Sequence, residues 1–320
     1  MTSLADQVLV VGAGLISPFG GLESTRQAIR AGLKVSGAPL EQLSDTPWAD
    51  RLAAQEPSPE LPPLATWQRL RKYMSAQSLL AAVAVHAALS GLDPVWCGYQ
   101  ASKVGIFAGV GLTSVNPLAG LDVLEASMGP GGVFAHDLLI QKGLSKLNPL
   151  WVFETLANMP ASIVSILEGI MGESAIYTPF EDGSAQALFE AVEALGRGVV
   201  DLAVVVAADV PSHPSNLALL ASLGYLVSGE TATSSSASLV LARPGEGGCG
   251  AFWPKLGNFV LSRGLPGEKA FDPLAPWLGR TVAAAPVMLA ALSAAAPELG
   301  LVTSIVGCEG HRLSFEVVVN

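Results

Sequence analysis

Apolar positions in this chain follow two rhythms. Short unbroken runs rich in Val, Ile and Leu alternate with longer Ala- and Leu-rich stretches that carry few charges. The runs Val8–Val11, Lys103–Val110, Ser174–Thr178, Asp201–Ala207, Ala237–Ala242 and Phe252–Leu261 read as buried strands, with Leu301–Ser304 and Leu313–Val319 as a closing pair. The first run is expected to close in a tight turn at Gly12 and Gly14. Helices are expected over Leu22–Ala31, with Gly32 past its end, and over Ser75–Leu89, Asn148–Gly172, Gly183–Leu195 and Thr281–Ala295. Ser75–Leu89 is apolar on nearly every side, as a fully buried helix is. Residues 36–66 mix Pro, Ser and Glu without periodicity and read as a surface excursion, and 116–147 as long functional or interface loops. Strands and helices alternating to the end imply an α/β layered fold. The theme restarts at Ser174, which suggests an internal duplication with halves at 1–172 and 173–320 forming one compact unit.

Composition narrows the function. Half of the 320 residues are hydrophobic and 14% are charged, so the chain can bury a large core and is far from the signature of disorder. A net charge of -10 and the lack of any dense Lys/Arg run argue against a nucleic-acid partner. Apolar stretches such as Val282–Ala295, interrupted by Pro286, fall short of the roughly 20 residues that span a bilayer. The N-terminal residues carry no basic-then-apolar leader pattern, which predicts a cytoplasmic protein without a membrane span. Cys97, Cys249 and Cys308 lie far apart with no Cys-x-x-Cys or Cys/His cluster, so neither metal nor cofactor is expected. His86, on the buried helix, reads as a satisfied core residue, and His136 and His213 carry no spacing suited to a triad.

Particular segments then point to a family. The opening Leu9-Val10-Val11-Gly12-Ala13-Gly14-Leu15-Ile16-Ser17-Pro18-Phe19-Gly20 and the helix after it resemble the start of the β-ketoacyl-acyl carrier protein synthases. A dinucleotide fingerprint fits poorly, because the third glycine position is Ser17 and no acidic residue closes a second strand about 20 residues on. Further matches follow in family order: Arg71-Lys72-Tyr73-Met74, Val104–Gly109, Asn148-Pro149 to Asn158-Met159, and Ser174–Val210 with Gly198 and Asp201. The resemblance implies a thiolase-like fold, internally duplicated and five-layered (α-β-α-β-α), and dimeric.

The same resemblance exposes what is missing. Where the family carries Thr-Ala-Cys-x-Ser-Gly, this chain reads Thr178-Pro179-Phe180-Glu181-Asp182-Gly183, and Phe180 has no nucleophilic atom. Glu181 and Asp182 read as helix caps at that start. The family's first histidine belongs to a His-Gly-Thr motif, whose surroundings here are severely shortened. Its second is matched by Arg280, a permanently charged guanidinium that cannot shuttle protons. Gly307-Cys308-Glu309-Gly310-His311 resembles the family's gating loop, with His311 a loop residue.

What the resemblance implies is therefore a ketosynthase-like subunit without catalytic residues, akin to chain-length factors. Such a subunit pairs with an active β-ketoacyl synthase and meets an acyl carrier protein through it. Ala175, Ile176, Tyr177, Thr178, Pro179, Phe180, Glu181, Asp182 and Gly183 are the candidate pocket and interface residues, since the family pairs this strand across its dimer axis. Chain-length factors typically carry Gln at the cysteine position and are longer, a departure from direct equivalence. Two alternatives stand beside this: an enzyme with altered acyl-thioester chemistry, a decarboxylase or hydrolase using Glu181, Asp182 or His311, and a stand-alone homodimer that binds an acyl chain.

Overall fold

The computed structural model describes residues 2–4, 8–92, 98–113, 118–147, 150–243, 255–263, 271–307 and 311–318. The apolar runs become β1 (Val8–Ser17), β2 (Val104–Val110), β3 (Ser174–Tyr177), β4 (Leu202–Asp209), β5 (Ser235–Ala242), β6 (Lys255–Arg263), β7 (Ser304–Val306) and β8 (His311–Val318). The helices are α1 (Leu22–Arg30), α2 (Ala76–Leu89), α3 (Leu118–Ala126), α4 (Met159–Glu168), α5 (Phe180–Gly196), α6 (Pro214–Ser222) and α7 (Ala285–Ala295).

These strands form one continuous sheet in the order β7-β8-β6-β1-β5-β4-β2-β3. β3, β2 and β4 are parallel and β5 is antiparallel to both its neighbours. Parallel pairs need crossover helices. The link from β2 to β3 runs through α4 on one face, and α5 links β3 to β4 on the other.

β4 records why the strands read as unbroken apolar runs. Ala203, Val205 and Ala207 pack towards α5 and α7, whereas Leu202, Val204, Val206 and Ala208 pack towards α2 and α4. Both faces are covered, so both sets of alternating positions must be apolar.

β1 is longer than expected and passes straight through Gly12 and Gly14. A Cβ on Gly12 would lie 2.2 Å from the Ala88 carbonyl oxygen, and one on Gly14 2.0 Å from that of Ala84. The glycines let α2 lie directly on the sheet rather than turning the chain. Gly14→Ala should therefore destabilise the fold by about 3 kcal/mol, read as a lower denaturation midpoint at unchanged slope.

Other expectations change in detail. Residues 36–66 contain strands Gly37–Pro39 and Leu52–Ala54, the second parallel to Thr231–Ala232 in a small separate sheet. The 116–147 stretch contains α3 and a helical run over His136–Gly143, hidden in the sequence because Leu121, Leu124 and Ile140 face outward. The helix expected over 148–172 is two, Trp151–Thr155 and α4, with Pro160 in the first turn of the second. α6 was not anticipated.

β3 and β4 hydrogen-bond in register to β2. The described elements stack as α2 with α4, the β1–β5 part of the sheet, α5 with α7, and the β6–β8 part of the same sheet. On the outward face of β6 and β8, Asn258 and Glu316 are exposed and Ser262 and Ser314 half-buried.

Candidate functional site

β3 leaves the edge of the sheet and turns through a cis Thr178–Pro179 peptide into α5. The helix begins at Phe180, three residues before the expected Gly183, and Phe180 has φ 61°, in the left-handed region. Such a conformation costs an aromatic residue about 1–3 kcal/mol and persists only where packing enforces it. Here the packing is apolar: Phe180 is buried with Leu217, Leu220, Ala232 and Val282, and meets Tyr225 edge to face at 5.0 Å.

Glu181 and Asp182 are not caps. Pro179 is the N-cap residue, no side chain caps the helix, and both acids are buried in its first turn. The positive end of the helix dipole suits them there, and each has a partner distant in sequence. Glu181 Oε1 lies 3.1 Å from Arg280 Nη2. Asp182 Oδ1 accepts the His311 backbone N–H at 2.8 Å and lies 2.9 Å from His311 Nδ1. His311 is thus the first residue of β8 rather than a loop residue. A Cβ on Gly307 would come within 2.3 Å of Asp182 Oδ2, so this glycine is what lets the chain pass over the carboxylate. Cys308, Glu309 and Gly310 lie outside the described residues.

Two further acids complete the site and were not singled out from the sequence. Asp209, at the end of β4, accepts the N–H groups of Val210 at 2.8 Å and Ala283 at 3.0 Å. Asp272 accepts the Leu274 N–H at 2.8 Å. Burial pushes both carboxyls up to about 7, with Glu181 adding to the rise and Arg280 partly offsetting it at Asp272. An acid ending an apolar strand was the one available signal for Asp209.

Beside this centre, a cleft of about 330 Å³ opens at the sheet edge, lined by Tyr177, Thr178, Asp182, Gln186, Leu261 and His311. Burial, then Glu190, Glu173 and Glu193, raise the Tyr177 hydroxyl above its usual range. The other histidines lie elsewhere: His86 Nδ1 is 3.1 Å from Glu168, and His213 Nδ1 is 2.8 Å from Ser215 Oγ. Among the described residues no group of three His, Cys, Asp or Glu could hold a metal ion, and no helix is long and apolar enough to cross a membrane.

A sheet layered with helices, and an edge strand turning through a strained residue into a buried helix, define a thiolase-like ketosynthase fold. The family described as "Beta-ketoacyl synthase, N-terminal domain" matches residues 5–250, and the chain belongs to the β-ketoacyl synthase family.

Among its relatives, the 3-oxoacyl-[acyl-carrier-protein] synthase 2 of Vibrio harveyi is 28% identical over 171 residues, 52% of this chain and 36% of that protein. The Vibrio cholerae protein of the same name is 27% identical over 223 residues, 66% of this chain and 48% of that protein. The chain thus spans less than half the length of these curated relatives. A type II PKS acyl-carrier protein in complex with its ketosynthase bound to the hexaketide, AntDE:AntF, includes a chain that superposes with TM-score 0.72 at 17% identity, covering 98% of this chain and 100% of that one. The ketosynthase ApeO in complex with its chain length factor ApeC, from Xenorhabdus doucetiae, gives TM-score 0.65 at 14% identity, covering 98% of each chain. At such identities the likeness establishes the fold.

Proposed function

We propose that this chain is a non-catalytic, ketosynthase-like subunit of the chain-length-factor type. It pairs with an active β-ketoacyl synthase in type II polyketide, polyene or fatty-acid-like biosynthesis and shapes that partner's acyl pocket. Phe180 carries this reading. At the strand-to-helix turn where the family resemblance calls for a nucleophilic cysteine stands a phenyl ring in a closed apolar cluster. Arg280, at the second histidine's position, is committed to a buried pair with Glu181 and has no proton to give near neutral pH.

The side of β3 that carries no partner strand among the described residues supports the pairing. It is an edge strand with Ile176 and Tyr177 half-buried, and an edge offers backbone donors and acceptors to a second chain. The ketosynthase/chain length factor complexes among the structural neighbours favour an active synthase as that second chain. A carrier protein then reaches the pair chiefly through the active partner, because this chain is acidic overall, net -10. We assign the complex to the cytoplasm.

One observation favours a second reading. Asp182 and His311 form a buried-acid and imidazole pair at the lip of a cleft, as a general base and its orienting carboxylate do. That reading makes the chain an acyl-thioester hydrolase or decarboxylase.

Co-expression with an intact synthase from the same biosynthetic system tests the pairing. The expected result is an equimolar complex through purification. A chain that remains apart from such synthases, or forms a stable homodimer holding an acyl chain, contradicts it.

A further inference from the structure

Four buried ionisable side chains meet beneath the strained turn, each from a different stretch of chain. Glu181 belongs to the first turn of α5, Asp209 ends β4, and Asp272 and Arg280 flank the short helix Ala275–Leu278. They are 1%, 2%, 6% and 7% exposed, respectively. Among the described residues, this dry interior therefore holds three carboxyl groups and one guanidinium, and the guanidinium pairs with Glu181. Fully ionised, the group would hold uncompensated negative charge, which an interior of low polarity opposes by several kcal/mol per ion. Retaining protons is the alternative.

The geometry provides for those protons. Asp272 Oδ1 accepts the Leu274 N–H while Oδ2 accepts none among the described residues, leaving an oxygen free to be an OH. Two backbone outliers lie on the same segments. Phe180 (φ 61°) precedes Glu181, and Val282 (φ 46°) follows Arg280 by two positions. Both conformations are disfavoured for such side chains, and both residues pack in one apolar cluster. The Glu181–Arg280 pair ties these two strained segments together, and Asp209 holds the second of them through the Ala283 N–H.

We propose that this centre is a proton-operated clamp: the Glu181–Arg280 pair ties the 178–183 turn to residues 279–284, and the clamp holds while the buried Asp209 and Asp272 keep their protons and loosens when they ionise beside Glu181. Among the described residues, Glu181 faces both aspartates and Arg280 faces Asp272; from other elements they meet backbone N–H groups. A carboxyl held at about 7 in the fold and near 3.9 when unfolded contributes stability that is complete below about pH 4 and lost as pH rises through about 7. This is the reverse of the usual carboxylate behaviour. The inference does not depend on the pairing proposed above.

Thermal unfolding of the full chain between about pH 5 and 8 tests it. The unfolding midpoint should fall by several degrees as pH rises, and Asp272→Asn, which keeps the acceptor for Leu274, should flatten that fall. A wild-type midpoint that is level or rises with pH overturns the clamp. So does an Asp272→Asn protein with the wild-type slope, because the fall would then come from the general negative charge. Should that variant fail to fold, hydrogen exchange on the unaltered chain decides. Corrected for intrinsic rates, amides of 180–183 and 281–284 should lose protection at high pH relative to β4; unchanged relative protection overturns the proposal.

Discussion

Arg280→Met should destabilise the fold by about 3–5 kcal/mol, the penalty for leaving a buried carboxylate without its cation. Glu181 is 1% exposed and its guanidinium partner is 3.1 Å away, so neither water nor a small shift of the chain can replace the pair. The charge also restrains Asp272, whose proton affinity Arg280 lowers; without it that carboxyl holds its proton to still higher pH. Chemical unfolding near neutral pH would measure the loss. Pairing the change with Glu181→Leu should recover most of it, since apolar residues of similar volume can replace a buried ion pair at little cost. A coupling of about 2 kcal/mol or more between the two positions is expected. A loss below about 1 kcal/mol for Arg280→Met alone would mean that Glu181 has found another partner.

Phe180→Cys restores the thiol that the resemblance calls for, and it should restore no condensation. The thiol would begin an α-helix, where the dipole favours a thiolate, but Glu181 and Asp182 follow at once in the same turn and oppose that charge. No imidazole stands at the position of Arg280 to polarise a thioester carbonyl or assist malonyl decarboxylation. The substitution also removes most of a buried ring from the cluster with Tyr225 and Leu217, a loss of about 3 kcal/mol if the cavity does not collapse. Acyl transfer to the variant and product formation from malonyl thioester can be followed by intact-protein and product mass spectrometry. A Phe180→Cys chain that condensed the two unaided would overturn the assignment of a dismantled centre.

The layered fold was legible because its central strands are covered on both faces. β2 and β4 have almost no polar side chains to disguise them, and α2 and α7 are apolar on nearly every side. Gly12 and Gly14 misled, since a glycine that ends a strand and one that admits a helix to its face look alike in a sequence. α3 and α6 were obscured by outward-facing leucines such as Leu121, Leu219 and Leu223.

The site was legible at Phe180 and Arg280, where a resemblance fixed what to look for. Their new partnerships were not. Glu181 meets Arg280 across 99 residues and Asp182 meets His311 across 129, and no local pattern reports contacts made by strand and helix packing. Asp209 and Asp272 have no motif around them, and only burial makes them unusual.

A chain with Phe180 and Arg280 at these positions is expected to perform no acyl chemistry of its own. The most direct test is incubation of the purified chain, alone, with acyl- and malonyl-thioesters, with condensed, decarboxylated and hydrolysed products quantified by mass spectrometry. The expected result is product at the level of buffer. Turnover above that level which disappears in His311→Ala or Glu181→Gln would contradict the claim and turn the Asp182–His311 cleft into an active site.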